Sequence, residues 1–244
     1  MEADRKGWSS DVFDRLRNQP EGGVQSALFR ARLSARYTPL LKIHLASIAL
    51  SLGALAACHK APPPKVITPD VFRVKFETTQ GDFTVEAVKA WAPHGVDRFY
   101  ELLRMHYFDQ SRFFRVLPGF IAQFGVHRDF KVQDVWRTLF IVDDPRVQSN
   151  TRGTLAFAKS GPDTRATEIF INLADNQSLD DDNFVPFARI VDGIDVIDKF
   201  YSGYGDVRPK GANIDPGRVE EEANEYLVPR FPKLDYIKRT TILP

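Results

Sequence analysis

One cation and one amide lie within an otherwise apolar run near the middle of the chain. The run extends from Phe113 to Gln123, and most of its members are Phe, Val, Leu, Ile or Ala. With the alternation of a β-strand, Arg115 and Gln123 face one concave surface while their neighbours fill a core. A cation and an amide beside apolar side chains form the pattern of a binding or catalytic site. The alternative is a solvated arginine on the outside of a strand, because arginine is usually exposed.

Further segments downstream favour the site interpretation. Gly and Pro residues separate two short apolar runs there, which predicts a strand, a turn and a second strand. The segments, in order, are residues 153–159, the turn at Gly161 and Pro162, residues 168–172, and the stretch from Leu179 to Ile190.

Taken in this order, the segments resemble the cyclophilins, a family of peptidyl-prolyl cis/trans isomerases. The resemblance extends over roughly residues 71–243, and within the family it points to a bacterial, lipoprotein-like branch marked by Pro186 to Asp198 and Tyr201 to Gly205. It implies a mainly β fold, a closed eight-stranded antiparallel barrel capped by two α-helices. Many short predicted strands with two main helices also suggest a closed barrel, which removes vulnerable sheet edges.

The reaction of this family requires no cofactor and no metal. An X-Pro bond prefers trans by only about 0.5–1 kcal/mol, but its isomers interconvert over roughly tens to hundreds of seconds because amide resonance must be broken. A catalyst needs a cation near the prolyl nitrogen, an apolar pocket for the ring and polar groups for the flanking backbone.

The resemblance implies a role for each candidate residue. Arg115 matches the catalytic arginine, and Gln123 matches the amide that orients the substrate backbone. The remaining positions are expected to bind substrate: the proline pocket at Phe120, Ile121, Phe170 and Leu179, a backbone contact at Ala158, and Asn183 at the position of a pocket histidine. For any one apolar residue taken alone, ordinary core packing is the alternative.

Three positions depart from the residues that are common in the family. Ser178 stands where Trp is frequent, Asn183 where His is frequent, and Glu168 where Gln is frequent. Loss of the aromatic ring and the imidazole opens one wall of the pocket and changes its polarity. We therefore expect a lower activity or a shifted residue preference.

Composition excludes several other classes of function. The 244 residues carry a formal charge of +1, and 43% of them are hydrophobic, which suffices for a substantial core. The basic excess lies in the first 57 residues, so the body is near neutral and lacks the footprint of a nucleic-acid binder. A single cysteine, Cys58, permits neither an intramolecular disulfide nor a cysteine-based zinc site. We expect a monomer.

The N-terminal segment has the order of a secretory signal. Ile43 to Ala57 is mostly apolar, follows basic residues and ends in small ones. Leu55 to Cys58 resembles the bacterial lipobox, although a lone cysteine is often just a small buried hydrophobe. His59 is not the aspartate of an inner-membrane retention signal, which favours an outer-membrane anchor facing the periplasm.

Three regions follow from this interpretation. Residues 1–57 form a polar extension plus signal peptide, and residues 58–69 contain the lipidated cysteine and a Pro-rich spacer. Residues 70–244 form the cyclophilin-like domain with a C-terminal extension. Within it, the periodicity predicts a hairpin at 71–88, helices from Pro93, near 194–201 and around 219–227, further strands near 111–116, 120–125, 153–159, 168–174 and 184–191, and a last strand at 236–243.

Three functions remain open on sequence alone. The first is an isomerase that assists the folding of exported proteins and binds proline-containing peptides. The second is a proline-binding chaperone or scaffold module with low turnover, and the third is a structural lipoprotein of the outer membrane. The Arg115 and Gln123 pair favours the enzyme, Ser178 and Asn183 favour the second function, and the third leaves the pair unexplained.

Overall fold

The computed structural model describes residues 67–209 and 214–244. Eight strands follow one another along this part of the chain: β1 Val71–Thr78, β2 Gly81–Val88, β3 Arg115–Val116, β4 Ile121–Phe124, β5 Thr154–Phe157, β6 Ile169–Asn172, β7 Pro186–Asp192 and β8 Ile237–Ile242. The helical elements lie between them: α1 Pro93–Arg104, α2 Phe130–Trp136, α3 Ser178–Asp181, a 3-10 helix Ile194–Lys199 and α4 Pro216–Arg230.

The strands form one antiparallel sheet that closes on itself. Their spatial order is β3-β4-β6-β5-β7-β2-β1-β8. The two outermost strands are joined through the residues that precede them, because Arg112 and Tyr236 form a bridge. Two backbone hydrogen bonds cross this join. Gln110 N donates to Ile237 O at 2.7 Å, and Ile237 N donates to Ser111 O at 3.0 Å. The mainly β fold expected from the sequence is confirmed.

Alternation along the strands fills the barrel with aromatic side chains. In β1 and β2 every second residue points inward, and Phe76 stacks on Phe83 with 4.9 Å between ring centroids. Phe99 from α1 packs against both Phe76 and Phe187. Removing these rings from water supplies the main stabilisation of the barrel.

Helix α1 begins where the sequence predicts, with Pro93 in its first turn. Its first N–H groups are capped from a distant loop, since the Asp144 carboxylate accepts from His94 N and Gly95 N at 2.9 Å each. Asp144 is in turn paired with the buried Arg165 at 3.0 Å. This buried pair connects the start of α1 to the segment between β5 and β6.

Several helical details differ from the sequence-based expectation. The helix predicted near 194–201 is the short 3-10 helix, which follows Gly193 in a left-handed conformation (φ 75°). Helix α2 was not predicted, although Asp129 caps it by accepting from Lys131 N at 2.8 Å. Helix α4 is longer than the predicted acidic helix and is kinked at Ala223. Short helices with few apolar residues have too weak a periodicity to be detected.

The predictions for the N-terminal segment fall on residues outside the described part of the chain. They concern the extension 1–57, the spacer that follows it and Cys58, and all of them stay predictions. Within 67–209 and 214–244, no helix has both the length and the apolar character needed to cross a bilayer.

Candidate active site

Strands β3 and β4 place Arg115 directly opposite Gln123. The two are register partners, so their side chains lie on the same face of the sheet. Arg115 Nη1 donates to Gln123 Oε1 at 3.4 Å, and the two residues are only 5% and 3% exposed. The cation and the amide that the sequence singles out are therefore neighbours.

The same face carries an apolar pocket. Register pairing continues from Gln123 to Phe170 in β6 and on to Ala156 in β5, forming one row across three strands. The alternate residues of these strands, such as Phe124 and Leu155, belong to the barrel core on the other face. The apolar residues of the site form a separate cluster: Ile121, Ala156, Ala158, Phe170 and Phe184, with Phe120 and Leu179 packed against it.

The pocket and the cation are adjacent. The guanidinium carbon of Arg115 lies 6.0 Å from the ring centroid of Phe120. The structure thus brings together all the predicted apolar members of the site, namely Phe120, Ile121, Ala158, Phe170 and Leu179. The binding roles of these residues and the catalytic roles of Arg115 and Gln123 stay predictions.

Phe184 belongs to the pocket and was missed in the sequence. It is almost fully buried, and its ring meets that of Phe170 edge-on at 5.6 Å. Ser178, in contrast, is exposed at the start of the single turn α3. An aromatic wall is therefore present, but it comes from the residue after Asn183 rather than from position 178. Asn183 itself is half-buried, with φ 55°.

Asparagine side chains support the loop that carries this wall. Asn150 Nδ2 donates to Phe184 O at 2.7 Å and to Asp180 Oδ1 at 2.8 Å. Asn176 Nδ2 donates to Phe120 O at 2.8 Å. These buried amides satisfy backbone and side-chain acceptors at the pocket rim. Sequence reasoning missed them because nothing local distinguishes them from surface loop residues.

The most consequential residue that the sequence did not reveal is Asp206. Its carboxylate accepts from Arg115 Nε at 2.5 Å and from Nη2 at 3.3 Å, a two-pronged contact along one edge of the guanidinium. Asp206 lies in the segment after the 3-10 helix, and the sequence does not indicate what this region contacts. The structure places it at the site.

A second apolar cluster holds the C-terminal extension, residues 202–235, beside the site. Two of its members, Phe114 and Val126, flank β3 and β4, and the others come from the extension: Ile214, Val219, Ala223, Tyr226, Leu227, Phe231 and Leu234. Asn224 Nδ2 also donates to Gln110 O at 3.0 Å. The extension is therefore packed against the strands that carry Arg115 and Gln123.

Glu168 completes a polar chain through the site. Gln123 Nε2 donates to Glu168 Oε2 at 2.6 Å, which fixes the amide with its oxygen toward Arg115. Burial of the Glu168 carboxyl, together with the charge of Glu220 from α4, raises its pKa to about 8, against the opposing effects of Gln123 and Arg115. The Glu220 side chain is 49% exposed, and its carboxylate lies 3.9 Å from Arg137 Nη1.

This raised pKa predicts a specific pH dependence of stability. The native protein keeps a proton on Glu168 that the unfolded chain releases above its ordinary pKa of 4.5, so this contribution to stability is lost as the pH rises toward and through about 8. Glu168→Gln cannot ionise and is expected to raise the melting temperature relative to wild type more at pH 9 than at pH 5. Thermal unfolding across this range measures the effect.

A matched control for this measurement is Glu225→Gln, on the exposed side of α4. Its melting temperature should follow the wild-type pH profile. Parallel profiles for Glu168→Gln and wild type would contradict the raised pKa of Glu168.

Within 67–209 and 214–244, no three His, Cys, Asp or Glu side chains converge in a way that would hold an ion. The site consists of one paired cation, one amide and an apolar pocket. Such a site has room for an apolar ring beside N–H donors.

Comparison with known proteins agrees with this fold. The sequence model of the family "Cyclophilin type peptidyl-prolyl cis-trans isomerase/CLD" matches residues 73–217. The chain belongs to this family. The match ends at the beginning of α4, so most of the helix lies beyond it.

Individual relatives are similar over about half of the chain. The Escherichia coli K12 protein "Peptidyl-prolyl cis-trans isomerase B" is 32% identical over 134 residues, which cover 52% of this chain and 82% of the relative. "Peptidyl-prolyl cis-trans isomerase-like 3" of Dictyostelium discoideum is 31% identical over 128 residues, 51% of this chain and 79% of the relative.

Solved structures show the same fold. A cyclophilin type peptidyl-prolyl cis-trans isomerase of Cryptosporidium parvum is similar with a TM-score of 0.52 at 20% sequence identity, covering 71% of this chain and 98% of that chain. A structure of that protein in the presence of the dipeptide Ala-Pro has a TM-score of 0.50, with 19% identity, 70% of this chain and 99% of that chain covered.

Proposed function

We propose that this protein catalyses the cis/trans isomerisation of X-Pro peptide bonds. The observation that carries the proposal is the Arg115 and Gln123 pair at the edge of an apolar pocket that includes Phe120 and Phe170. The barrier to isomerisation comes from amide resonance, so a catalyst needs only to stabilise the twisted bond. No covalent step and no cofactor is required.

Each part of the site has a physical role in this reaction. The pocket takes the proline ring, whose burial holds the substrate. Arg115 directs N–H groups toward the prolyl nitrogen as its lone pair localises, and Gln123 holds the adjacent backbone. Donors that are already oriented in a site with little water stabilise the transition state without reorganising.

A rate measurement on a short X-Pro peptide tests the proposal. The full chain in mild detergent is expected to accelerate cis-to-trans conversion, followed by exchange NMR at several enzyme concentrations. The exposed strand variant Arg73→Ala, whose side chain is 60% exposed, serves as a control and should keep the wild-type rate. Absence of acceleration by the folded protein would contradict the proposal.

A proline-binding module with low turnover is the second candidate. The observation that favours it is the burial of Arg115 beneath Asp206, which limits how much of the guanidinium a substrate reaches. Such a module would bind the X-Pro peptide, with shifts at Phe120 and Phe170 resonances, and leave the exchange rate unchanged.

The cellular setting is a further part of the proposal. We propose that the chain is exported, lipidated at Cys58 and anchored to the outer membrane, facing the periplasm, where it acts on unfolded exported proteins. Support comes from the apolar segment Ile43 to Ala57, the lipobox-like Leu55 to Cys58, and the prolines at 62–64 that extend the spacer.

Replacement of Cys58 tests the anchor. Because a diacylated cysteine inserts long acyl chains into the bilayer, Cys58→Ser is expected to abolish acyl-chain labelling and to leave the protein uncleaved. Intact mass and membrane fractionation measure both effects, with Ser51→Ala as a control inside the apolar segment. Equal acyl labelling of the Cys58→Ser protein would show that the lipid is attached elsewhere.

A further inference from the structure

The contact between Arg115 and Asp206 has the geometry of a positioning clamp. Nε and Nη2 form one edge of the planar guanidinium, and each donates to a different oxygen of Asp206. Two parallel contacts fix both the direction and the plane of the group, which a single contact does not. Nη1, on the other side, is directed toward Gln123.

The carboxylate is itself held in place. Val207 N donates to Asp206 Oδ1 at 2.8 Å, so this oxygen accepts from the backbone and from Arg115 together. The residues on either side are anchored by apolar contacts, because Tyr204 and Val207 pack against the second apolar cluster. The ring of Tyr204 meets that of Phe231 edge-on at 5.1 Å.

The extension that carries Asp206 is an integral part of the domain. The side chains of Ile214, Val219 and Ala223 are 0 to 1% exposed, as deeply buried as the barrel core. At its far end, the Asp235 carboxylate accepts from Tyr201 N at 2.6 Å. Detaching such a segment would expose a large apolar area to water, which is unfavourable. The extension is therefore better described as a permanent support of the site than as a segment that covers the site and detaches from it.

We propose that Asp206 is a positioning residue of the isomerase site, and that the C-terminal extension serves to supply it. Burying an arginine costs more when a counter-charge is removed, so the guanidinium is expected to turn toward solvent when Asp206 no longer accepts from it. Asp206 keeps the guanidinium against the sheet, with Nη1 toward Gln123 and the edge of the proline pocket. Catalysis then relies on oriented N–H donors more than on net charge.

This inference rests on the proposed function and makes a prediction opposite to that of an autoinhibitory contact. If Asp206 orients Arg115 for the reaction, its removal lowers kcat. If Asp206 withholds Arg115 from substrate, its removal raises kcat. The sign of the change separates the two.

The test uses the full chain, the X-Pro exchange assay and three single variants. Asp206→Asn is expected to lower kcat about tenfold with KM changed less than about twofold, because orientation is lost while the pocket remains. Asp206→Glu keeps the charge and should restore part of the rate. Asp215→Asn is the matched control: this carboxylate caps α4 in the same extension by accepting from Gly217 N and Arg218 N, so kcat should match wild type.

The effect of Asp206→Asn on kcat in Arg115→Ala protein shows whether Asp206 acts through Arg115. In Arg115→Ala protein, adding Asp206→Asn should change the remaining kcat by less than about twofold, since the group it positions is gone. A loss that persists in this background, an unchanged kcat in the single variant, or a raised kcat would each overturn the proposal. The raised kcat would establish the autoinhibitory contact.

If a variant does not fold, an NMR measurement on the wild-type protein still tests the proposal. The Nε–H resonance of Arg115 in the wild type, assigned by its loss in Arg115→Lys, should exchange slowly with water and shift when the X-Pro peptide binds. A rapidly exchanging resonance would overturn the clamp even if the protein is an active isomerase. An inactive wild type with a protected resonance would instead contradict the proposed function alone.

Discussion

Arg115→Ala is expected to lower kcat/KM for X-Pro isomerisation by about tenfold or more, because it removes the donors that stabilise the twisted amide. The side chain lies at the pocket edge, 6.0 Å from the Phe120 ring centroid. A tenfold loss corresponds to about 1.4 kcal/mol of transition-state stabilisation. The exchange assay on the purified full chain measures it, with peptide concentration varied to separate kcat from KM.

Arg115→Ala also removes the guanidinium that Asp206 contacts. An unpaired carboxylate with 17% of its side chain exposed costs stability, so the melting temperature should fall. The double variant Arg115→Ala with Asp206→Asn removes this charge and should recover the melting temperature while the rate stays low. A folded Arg115→Ala protein with wild-type kcat/KM would exclude Arg115 as the catalytic residue.

Phe170→Ala is expected to cost about 3–5 kcal/mol of the free energy of unfolding and to weaken peptide binding. The residue lies in β6 between Gln123 and Ala156, is 3% exposed, and meets Phe184 edge-on. Truncation removes the centre of the pocket and leaves a cavity. Denaturant unfolding measures the first effect, and peptide titration followed by NMR measures the second.

Phe170→Leu serves as a control for this variant because it retains most of the apolar volume. It should lose much less stability than the alanine variant and keep measurable peptide binding. If Phe170→Ala unfolds at the wild-type denaturant concentration, the packing described for this pocket is wrong. If stability falls but peptide affinity does not, Phe170 supports the sheet without contacting the proline ring.

Local patterns account for the parts of the fold that the sequence predicted well. The hairpin of β1 and β2 alternates cleanly, and α1 has both an apolar stripe and Pro93 at its start. The placement of Arg115 opposite Gln123 follows from two short strands joined by the turn at Pro118 and Gly119. Each of these features depends on residues within about ten positions of one another.

The supports of the site could not be predicted in this way. Asp206 lies 91 positions from Arg115, and Glu168 lies 45 positions from Gln123. Nothing in the periodicity around Asp206 distinguishes it from other acidic loop residues. Phe184 could not be recognised as a pocket residue for a similar reason. An apolar residue just before a strand predicts core packing, and its place in the pocket depends on its contact with Phe170 of β6.

The pairing of β1 with β8 also sets the order in which the molecule is completed. Val74 is the register partner of Ile242, and Phe76 that of Thr240, so one edge of the first hairpin has no strand partner until residues 237–242 have been made. The join between Arg112 and Tyr236 has to wait for the same residues. During synthesis the growing chain therefore presents an unpaired strand edge rich in apolar residues, a form prone to aggregation. The growing chain is therefore expected to need protection by a chaperone until its last strand is available.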